Sequence, residues 1–355
     1  MAGVATQRVV LVTPALVAAN NGNWHTAWRW AKFLRRRGRT VLVQREWDGL
    51  PCDALVALHA RRSADSIERF ARWRASEPVA PDAAVAAPAV AGAQALRGRP
   101  GLAVVMTGTD LYRDIEHHAA ARRSLALADR LVLLNLRGAL ALPHEHRGKA
   151  VVILQSAATL RPHPPRAGRF DLLLVGHLRP EKDPLTAARA LAMLPHPGLR
   201  LRQVGDVHGA DGTGAAVADA LRQAARDNPR IELMGPRSHR ATRALIRRGR
   251  LLLLPSLMEG GANVLIEAVT SGVPVLASRI DGSVGLLDED YPGYFPVGDA
   301  AALAALIDRA VTDADWLDGL RAACLARAAR FDPALERAAV RALVDNLVLP
   351  RTPTP

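Results

Sequence analysis

Short apolar runs alternate with helix-length segments along most of this 355-residue chain, and that alternation limits the folds open to it. Arg8 to Thr13 is short, β-branched and stopped by Pro14, which predicts a buried strand. A polar loop, Asn20-Asn21-Gly22-Asn23, follows, and Thr26 to Arg37 has helical periodicity that stops at Gly38. Thr40–Val43, Ala54–Leu58, Val104–Met106 and Leu131–Leu134 continue the strand series, with a helix over Arg122–Asp129. Further on, strands are predicted at Phe170–Val175, Leu199–Val204, Ile231–Met234, Leu251–Leu254 and Val273–Ala277. Helices are predicted at Leu185–Leu194, Ala215–Arg226, Arg240–Arg247 and Asn263–Thr270, then at Ala300–Val311, Trp316–Ala329 and Pro333–Leu347. Apolar strands separated by helices read as an α/β class with parallel, doubly wound sheets.

The length exceeds one ordinary core and suits two domains of roughly 150–200 residues. The break falls at Leu160–Arg169, where Pro162, Pro164, Pro165 and Gly168 stop any regular element. The expected division is therefore residues 1–160, a linker at 161–169, and a second domain at 170–330. Residues 331–355 supply a C-terminal helix, packing back on the first domain, and a Pro-rich tail. Ser76 to Gly101, rich in Ala, Pro and Val, reads as part helix and part loose loop. Open α/β sheets bind ligands beyond the carboxyl ends of their strands, so two such domains facing each other would enclose a substrate cleft.

A net charge of +13 invites a nucleic-acid reading, but the basic residues do not support it. Lysine occurs only at Lys32, Lys149 and Lys182, and the arginines are scattered along helices, as in Arg35–Arg37, Arg122-Arg123 and Arg247-Arg248. No interleaved aromatic platform accompanies them. A solvated basic face accounts for most, and anionic substrates for a few. Cys52 and Cys324 have no metal-like or redox spacing, which fits a reducing compartment. No run approaches the roughly 18 apolar residues of a membrane span, so a cytoplasmic location without stable membrane insertion is expected.

The segment Pro255-Ser256-Leu257-Met258-Glu259-Gly260-Gly261-Ala262-Asn263-Val264-Leu265-Ile266-Glu267 carries the clearest chemistry. It leaves a buried strand and opens a helix. The glycines let a ligand approach the backbone, and the amides of Gly261 to Val264 can face a diphosphate. Glu259 stands before the helix and Glu267 about two turns into it, so the carboxylates address different parts of one elongated ligand. The same pattern also allows a helix cap at Glu259 and an arginine partner for Glu267. Gly176-His177-Leu178-Arg179-Pro180-Glu181-Lys182-Asp183-Pro184 follows another strand, where two cations could stabilise a departing diphosphate or simply pair with Glu181 and Asp183.

These residues resemble the E-x7-E signature of retaining GT-B glycosyltransferases, specifically the GT4 group. Glu267-Ala268-Val269-Thr270-Ser271-Gly272-Val273-Pro274-Val275 resembles its EA-x-x-x-G-x-P-V continuation. The resemblance implies two Rossmann-like domains, a sugar contact at Glu259 and a ribose contact at Glu267. It places the diphosphate clamp on Arg179 and Lys182, and the base loop on Gly235-Pro236. Asn20 to Asn23 stands in place of the group's Gly-rich loop. Thr107-Gly108-Thr109-Asp110 stands where relatives carry His-Gly-x-Asp, so Thr107 is a departure.

A narrower resemblance spans nearly the whole chain, excepting Ser76–Gly101 and the tail. The runs Asn21-Gly22-Asn23, Glu46-Trp47-Asp48-Gly49, Leu58-His59-Ala60-Arg61-Arg62-Ser63 and Thr107-Gly108-Thr109-Asp110-Leu111-Tyr112-Arg113-Asp114 carry it. So do Gly176-His177-Leu178-Arg179, Met258-Glu259-Gly260-Gly261-Ala262-Asn263 and Asp290-Tyr291-Pro292-Gly293-Tyr294-Phe295-Pro296-Val297-Gly298-Asp299. Together they are similar to the selenosugar synthases of bacterial selenoneine biosynthesis. Those enzymes join selenophosphate to a sugar from UDP-N-acetylglucosamine or UDP-glucose. The resemblance implies catalytic Glu259, Arg179 and Lys182, and a donor site of Asn23, Gly176, Gly235, Gly260, Gly261, Ala262, Asn263, Val264 and Glu267. Acceptor binding is expected at His59, Arg61, Arg62, Thr109, Asp110 and Arg113, with neither cofactor nor metal. A hydroxyl acceptor is the alternative, and Trp28, Trp30 and Lys32 would suit a lipid one.

Overall fold

In the computed structural model, which describes residues 7–16, 22–36, 38–76, 99–164, 168–207 and 213–348, all ten expected strand runs form strands. The chain divides into two compact units. The first draws on Met1–Leu134, Ala139–Ile153 and Glu336–Pro355; the second draws on Asn135–Gly138 and Leu154–Leu335.

The first unit holds β1 (Gln7–Val12), β2 (Arg39–Gln44), β3 (Ala54–Leu58), β4 (Gly101–Met106), β5 (Arg130–Leu133) and β6 (Ala150–Val152). They pair in parallel in the order β2-β1-β3-β4-β5-β6. Every residue of β3 and β4 is buried, because helices cover both faces. Alternate strand residues go to opposite sides. Val9, Leu11 and Val56 pack with Trp30 and Leu34 of α1 (Gly22–Leu34). Val10, Val12 and Leu55 pack with Ile67 and Phe70 of α2 (Ala64–Ser76). Each such buried side chain stabilises the unit by about 1.5–3 kcal/mol.

Short helices α3 (Ile115–His117), α4 (Ala119–Leu127) and α5 (Gly138–Ala141) follow β4 and β5. The last helix, α13 (Pro333–Val348), sends Val340, Leu343, Val344 and Leu347 into the α1 face of the first unit's core. Its buried Glu336 carboxylate accepts from Arg29 Nε at 2.8 Å and Trp30 Nε1 at 2.7 Å. That pairing offsets the cost of burying the charge.

In the second unit, β7 (Phe170–Val175), β8 (Leu199–Val204), β9 (Ile231–Leu233), β10 (Leu251–Leu254), β11 (Val275–Ser278) and β12 (Tyr294–Phe295) form another parallel sheet, ordered β12-β11-β10-β7-β8-β9. The helices are α6 (Pro184–Ala192), α7 (Thr213–Asp227), α8 (His239–Ile246), α9 (Asn263–Val269), α10 (Asp281–Leu287), α11 (Ala300–Thr312) and α12 (Ala314–Arg327). From β7 the chain builds outward through β8 and β9, then returns to lay β10 on the other side of β7. The strand order reverses between β7 and β10, and a crevice opens beyond the carboxyl ends at such a point. Gly176 follows β7, and Pro255 to Gly261 follows β10.

Several boundaries differ from expectation. Helix α1 begins at Gly22 rather than Thr26, because Thr26 Oγ1 donates to the Gly22 carbonyl at 2.8 Å inside its first turn. The Pro-rich stretch falls within the second unit, whose longer segment starts at Leu154. The non-proline amides of Leu160 and His163 donate to Thr270 O and Arg247 O, so an extended segment docks without a strand of its own. Short, partly exposed β6 and two-residue β12 had no period long enough to announce them. Asn20, Asn21, Arg37 and most of the Ser76–Gly101 stretch lie outside the described residues.

Candidate active site

In the second unit the β7 and β10 loops bring together residues far apart in sequence. After Gly176 the chain makes a short 3-10 turn, Pro180–Lys182, and leaves it through Asp183 in the left-handed region (φ 39°) before Pro184 opens α6. The turn is stitched to the β10 loop by the Leu257 amide, which donates to the Glu181 carbonyl at 2.9 Å. Lys182 Nζ thereby reaches Glu259 Oε1 at 2.6 Å, and Ser256 Oγ donates to the same oxygen at 2.7 Å. Glu259 is only 6% exposed, so the ammonium and hydroxyl offset the cost of its desolvation. Gly282 of α10 presses on the Glu259 backbone; a Cβ there would lie 2.0 Å from the Glu259 carbonyl oxygen.

A small recess beside Lys182 is lined by Gly176, His177, Gln203, Leu254 and Ser256. Arg179 precedes the turn in extended conformation, and its Nε is buried without a hydrogen-bond acceptor among the described residues. A buried cationic N–H of this kind suits an anionic acceptor group supplied by a ligand. Gly205, after β8, adopts φ +151°, and a Cβ there would meet the Gly176 carbonyl oxygen at 1.9 Å. Its amide donates to the Gly235 carbonyl at 3.1 Å, so the loops after β7, β8 and β9 abut. Gly235 has open space where its side chain would stand.

Gly260, Gly261 and Ala262 are buried, and Asn263 and Val264 half-buried, where α9 begins without a side-chain cap. Farther along α9, Glu267 Oε1 lies 2.6 Å from His239 Nε2 at the start of α8. Arg243, also on α8, has its pKa lowered by burial, opposed by the Glu267 charge. The side chain that meets Glu267 is thus a histidine that the sequence pattern did not single out, and Arg243 acts on it through charge only.

The first unit gathers the expected acceptor residues after β3 and β4. His59 follows β3 with φ +74°, a left-handed conformation uncommon for a non-glycine residue, and is buried. The Arg62 amide donates to His59 Nδ1 at 3.2 Å, so Nε2 carries the ring proton, 3.2 Å from Thr109 Oγ1. Burial lowers the His59 pKa, with the Asp110 charge opposing it.

Asp110, fully buried, accepts at Oδ1 from Thr107 N, Thr107 Oγ1 and Gly108 N, and at Oδ2 from Ala60 N at 2.9 Å. Both carboxylate oxygens are therefore committed to tying the two loops together. Asp110 to Asp114 forms a π-helical turn, a feature frequent at functional sites. It buries Asp114, whose Oδ1 lies 3.3 Å from Arg113 Nε and 3.5 Å from Arg61 Nη1. Asn23, half-buried, stands in the first turn of α1.

Sequence reasoning overlooked Ser256, Gly205, His239 and Asp114. Val204-Gly205 repeats the Val175-Gly176 ending of β7, and Asp114 closes a run already noted; these were the available signals. Among the described residues, no group of three His, Cys, Asp or Glu side chains could hold a metal ion. Nor is any described helix long and apolar enough to cross a membrane.

Two parallel sheets, each of Rossmann type, define the GT-B fold. The chain superimposes on Anabaena HepE in complex with UDP and glucose with a TM-score of 0.73 at 15% identity, covering 96% of this chain and 99% of that one. With sucrose-phosphate synthase from Thermosynechococcus elongatus the TM-score is 0.75 at 16% identity, with the same coverage. At these identities the likeness is one of fold.

Residues 157–330, which lie almost wholly in the second unit, match the family described as Glycosyl transferases group 1. The D-inositol 3-phosphate glycosyltransferase of Corynebacterium glutamicum is 32% identical over 149 residues, 38% of this chain and 34% of that protein. D-inositol 3-phosphate glycosyltransferase 1 of Catenulispora acidiphila is 31% identical over 169 residues, 46% of this chain and 40% of that protein. The chain thus spans between a third and two fifths of the length of these curated relatives.

Proposed function

We propose that this protein is a UDP-sugar-dependent glycosyltransferase whose acceptor is selenophosphate. The observation that carries the donor half is the Lys182–Glu259 pair, two opposite charges joined between the β7 and β10 loops, with Lys182 lining the recess beside Gly176. A bound nucleotide-sugar offers each a better partner: diphosphate oxygens for Lys182 and sugar hydroxyls for Glu259. Arg179 adds a second cation for the departing UDP, and Glu267 receives the ribose. The solved HepE complexes with UDP and UDP-glucose support a uridine nucleotide as the donor class.

The acceptor half rests on the first unit's chemistry and on the resemblance carried by its loops. Asp110 is occupied by four donors, and the His59 Nδ1 lone pair by the Arg62 amide. A hydroxyl acceptor would want a base, whereas a dianion that is already nucleophilic wants positioned cations. Arg61 and Arg113, half-exposed, supply those cations. In the reaction, selenium attacks the anomeric carbon as the carbon–oxygen bond to UDP breaks, and UDP keeps that electron pair. Water then cleaves the phosphorus–selenium bond, giving phosphate and the sugar selenol.

One second reading has a specific observation behind it: the arginines would equally receive the phosphate of a phosphorylated polyol, the acceptor class named in the inositol 3-phosphate relatives. Incubation with UDP-N-acetylglucosamine and selenophosphate, followed by mass spectrometry, tests the proposal, with thiophosphate as a control. It predicts a selenium-bearing sugar. No such product, with turnover on a hydroxyl acceptor, overturns it.

A further inference from the structure

Glu267 is met by a side chain that engages only one of its two carboxylate oxygens. His239 Nε2 lies 2.6 Å from Oε1, and among the described residues no donor reaches Oε2. A carboxylate only accepts, so Nε2 carries the proton of this bond. The Glu267 side chain is 11% exposed and that of His239 51%. A surface histidine therefore holds a mostly buried carboxylate.

The placement is built into α8. Ser238 Oγ accepts from the Ala241 amide and starts the helix, which makes His239 its first residue. Arg243 follows four residues later on the same face. Its charge acts on Glu267, but its Nη2 donates to the Ala158 carbonyl at 2.6 Å. An arginine fork would take both carboxylate oxygens, whereas an imidazole N–H takes one. The backbone of Glu267 is fixed as well, since Ser271 Oγ donates to its carbonyl at 2.7 Å.

We propose that His239 is a positioning residue of the donor site, turning the Glu267 carboxylate so that Oε2 accepts from a ribose hydroxyl of the nucleotide. This rests on the ribose reading of Glu267 above and names the residue that organises it. His239 need not touch the nucleotide. It acts through Glu267, while Arg243 supplies charge without competing for an oxygen.

The probes are UDP and 2′,3′-dideoxy-UDP, each bound to the full chain and measured by calorimetry. Wild-type protein should favour UDP, because only UDP offers Glu267 a ribose hydroxyl. His239→Ala should weaken UDP binding about tenfold, the scale of one hydrogen bond to a charged group, and leave dideoxy-UDP binding unchanged. His239→Gln, whose amide can still donate to Oε1, should restore most of the preference, which a role in helix stability alone would not do. In a Glu267→Gln background the preference should be gone, and adding His239→Ala should change UDP affinity no further. A preference for UDP that survives His239→Ala intact, or an equal loss for both nucleotides, overturns the positioning role and leaves the ribose reading standing. Wild-type protein that binds both nucleotides equally, or neither, overturns the ribose reading and the positioning role with it.

Discussion

The two units place charged side chains after the strands of similar parallel sheets, yet they use them in opposite ways. In the second unit the carboxylate of Glu259 is met, among the described residues, by the side chains of Lys182 and Ser256, and side chains can change partners when a ligand arrives. In the first unit Asp110 is met mostly by backbone amides, which cannot leave without undoing the loops. A carboxylate held by side chains is available for chemistry, and one held by backbone is part of the scaffold. The same residue type at the end of a strand therefore has different meaning in the two halves. What the first unit leaves facing outward is guanidinium.

Substitutions at both kinds of carboxylate test that contrast. The largest effect is expected at the exchangeable pair. Glu259→Ala should reduce turnover by about 10²–10³-fold, the usual scale for losing one preorganised electrostatic contact. Lys182→Met should also abolish turnover and, by stranding a buried carboxylate, destabilise the second unit by about 3–5 kcal/mol. The double variant should regain much of that stability without activity. Denaturant melts beside UDP-release assays check both statements.

Next in size is Asp110→Ala, which strips four hydrogen bonds from two buried loops. It should cost the first unit about 3 kcal/mol or more, seen as a lower unfolding midpoint, with UDP affinity unaltered. Equal loss of UDP binding would erase the contrast between the halves. Arg61→Ala or Arg113→Ala should raise the acceptor KM about tenfold, in keeping with a charge-assisted contact, and leave the UDP-sugar KM unchanged.

The smallest effect concerns His59. Burial holds its folded pKa below the ordinary 6.5, so below that pH the unfolded chain binds a proton that the folded ring refuses. Stability of the first unit should fall as pH drops from 6.5 towards the folded value, and His59→Gln should flatten that slope. Unfolding midpoints compared between pH 7.5 and pH 5.5 give the answer.

Much of this architecture was legible beforehand because strands such as Ala54–Leu58 and Leu251–Leu254 are buried on both faces and read as unbroken apolar runs. The turn from Pro255 into the helix at Asn263 was legible too, since glycines after a buried strand mark a loop and the apolar spacing beyond them a helix. Partner choice was not. Nothing in local spacing says that Lys182 would meet Glu259, 77 residues away, or that His239 would meet Glu267. Asp110 and Asp114 look interchangeable in Asp110-Leu111-Tyr112-Arg113-Asp114. Only the π-helical turn separates them, sending one to backbone amides and the other to two arginines.

One measurement bears most directly on the claim that this chain serves an anionic acceptor needing no base. Equimolar selenophosphate and myo-inositol 3-phosphate are offered together with limiting UDP-N-acetylglucosamine, and the products are resolved by mass spectrometry. The account predicts that the sugar is recovered on selenium, with inorganic phosphate released in proportion to UDP. Sugar recovered on the inositol hydroxyl, with selenophosphate unconsumed, would contradict it.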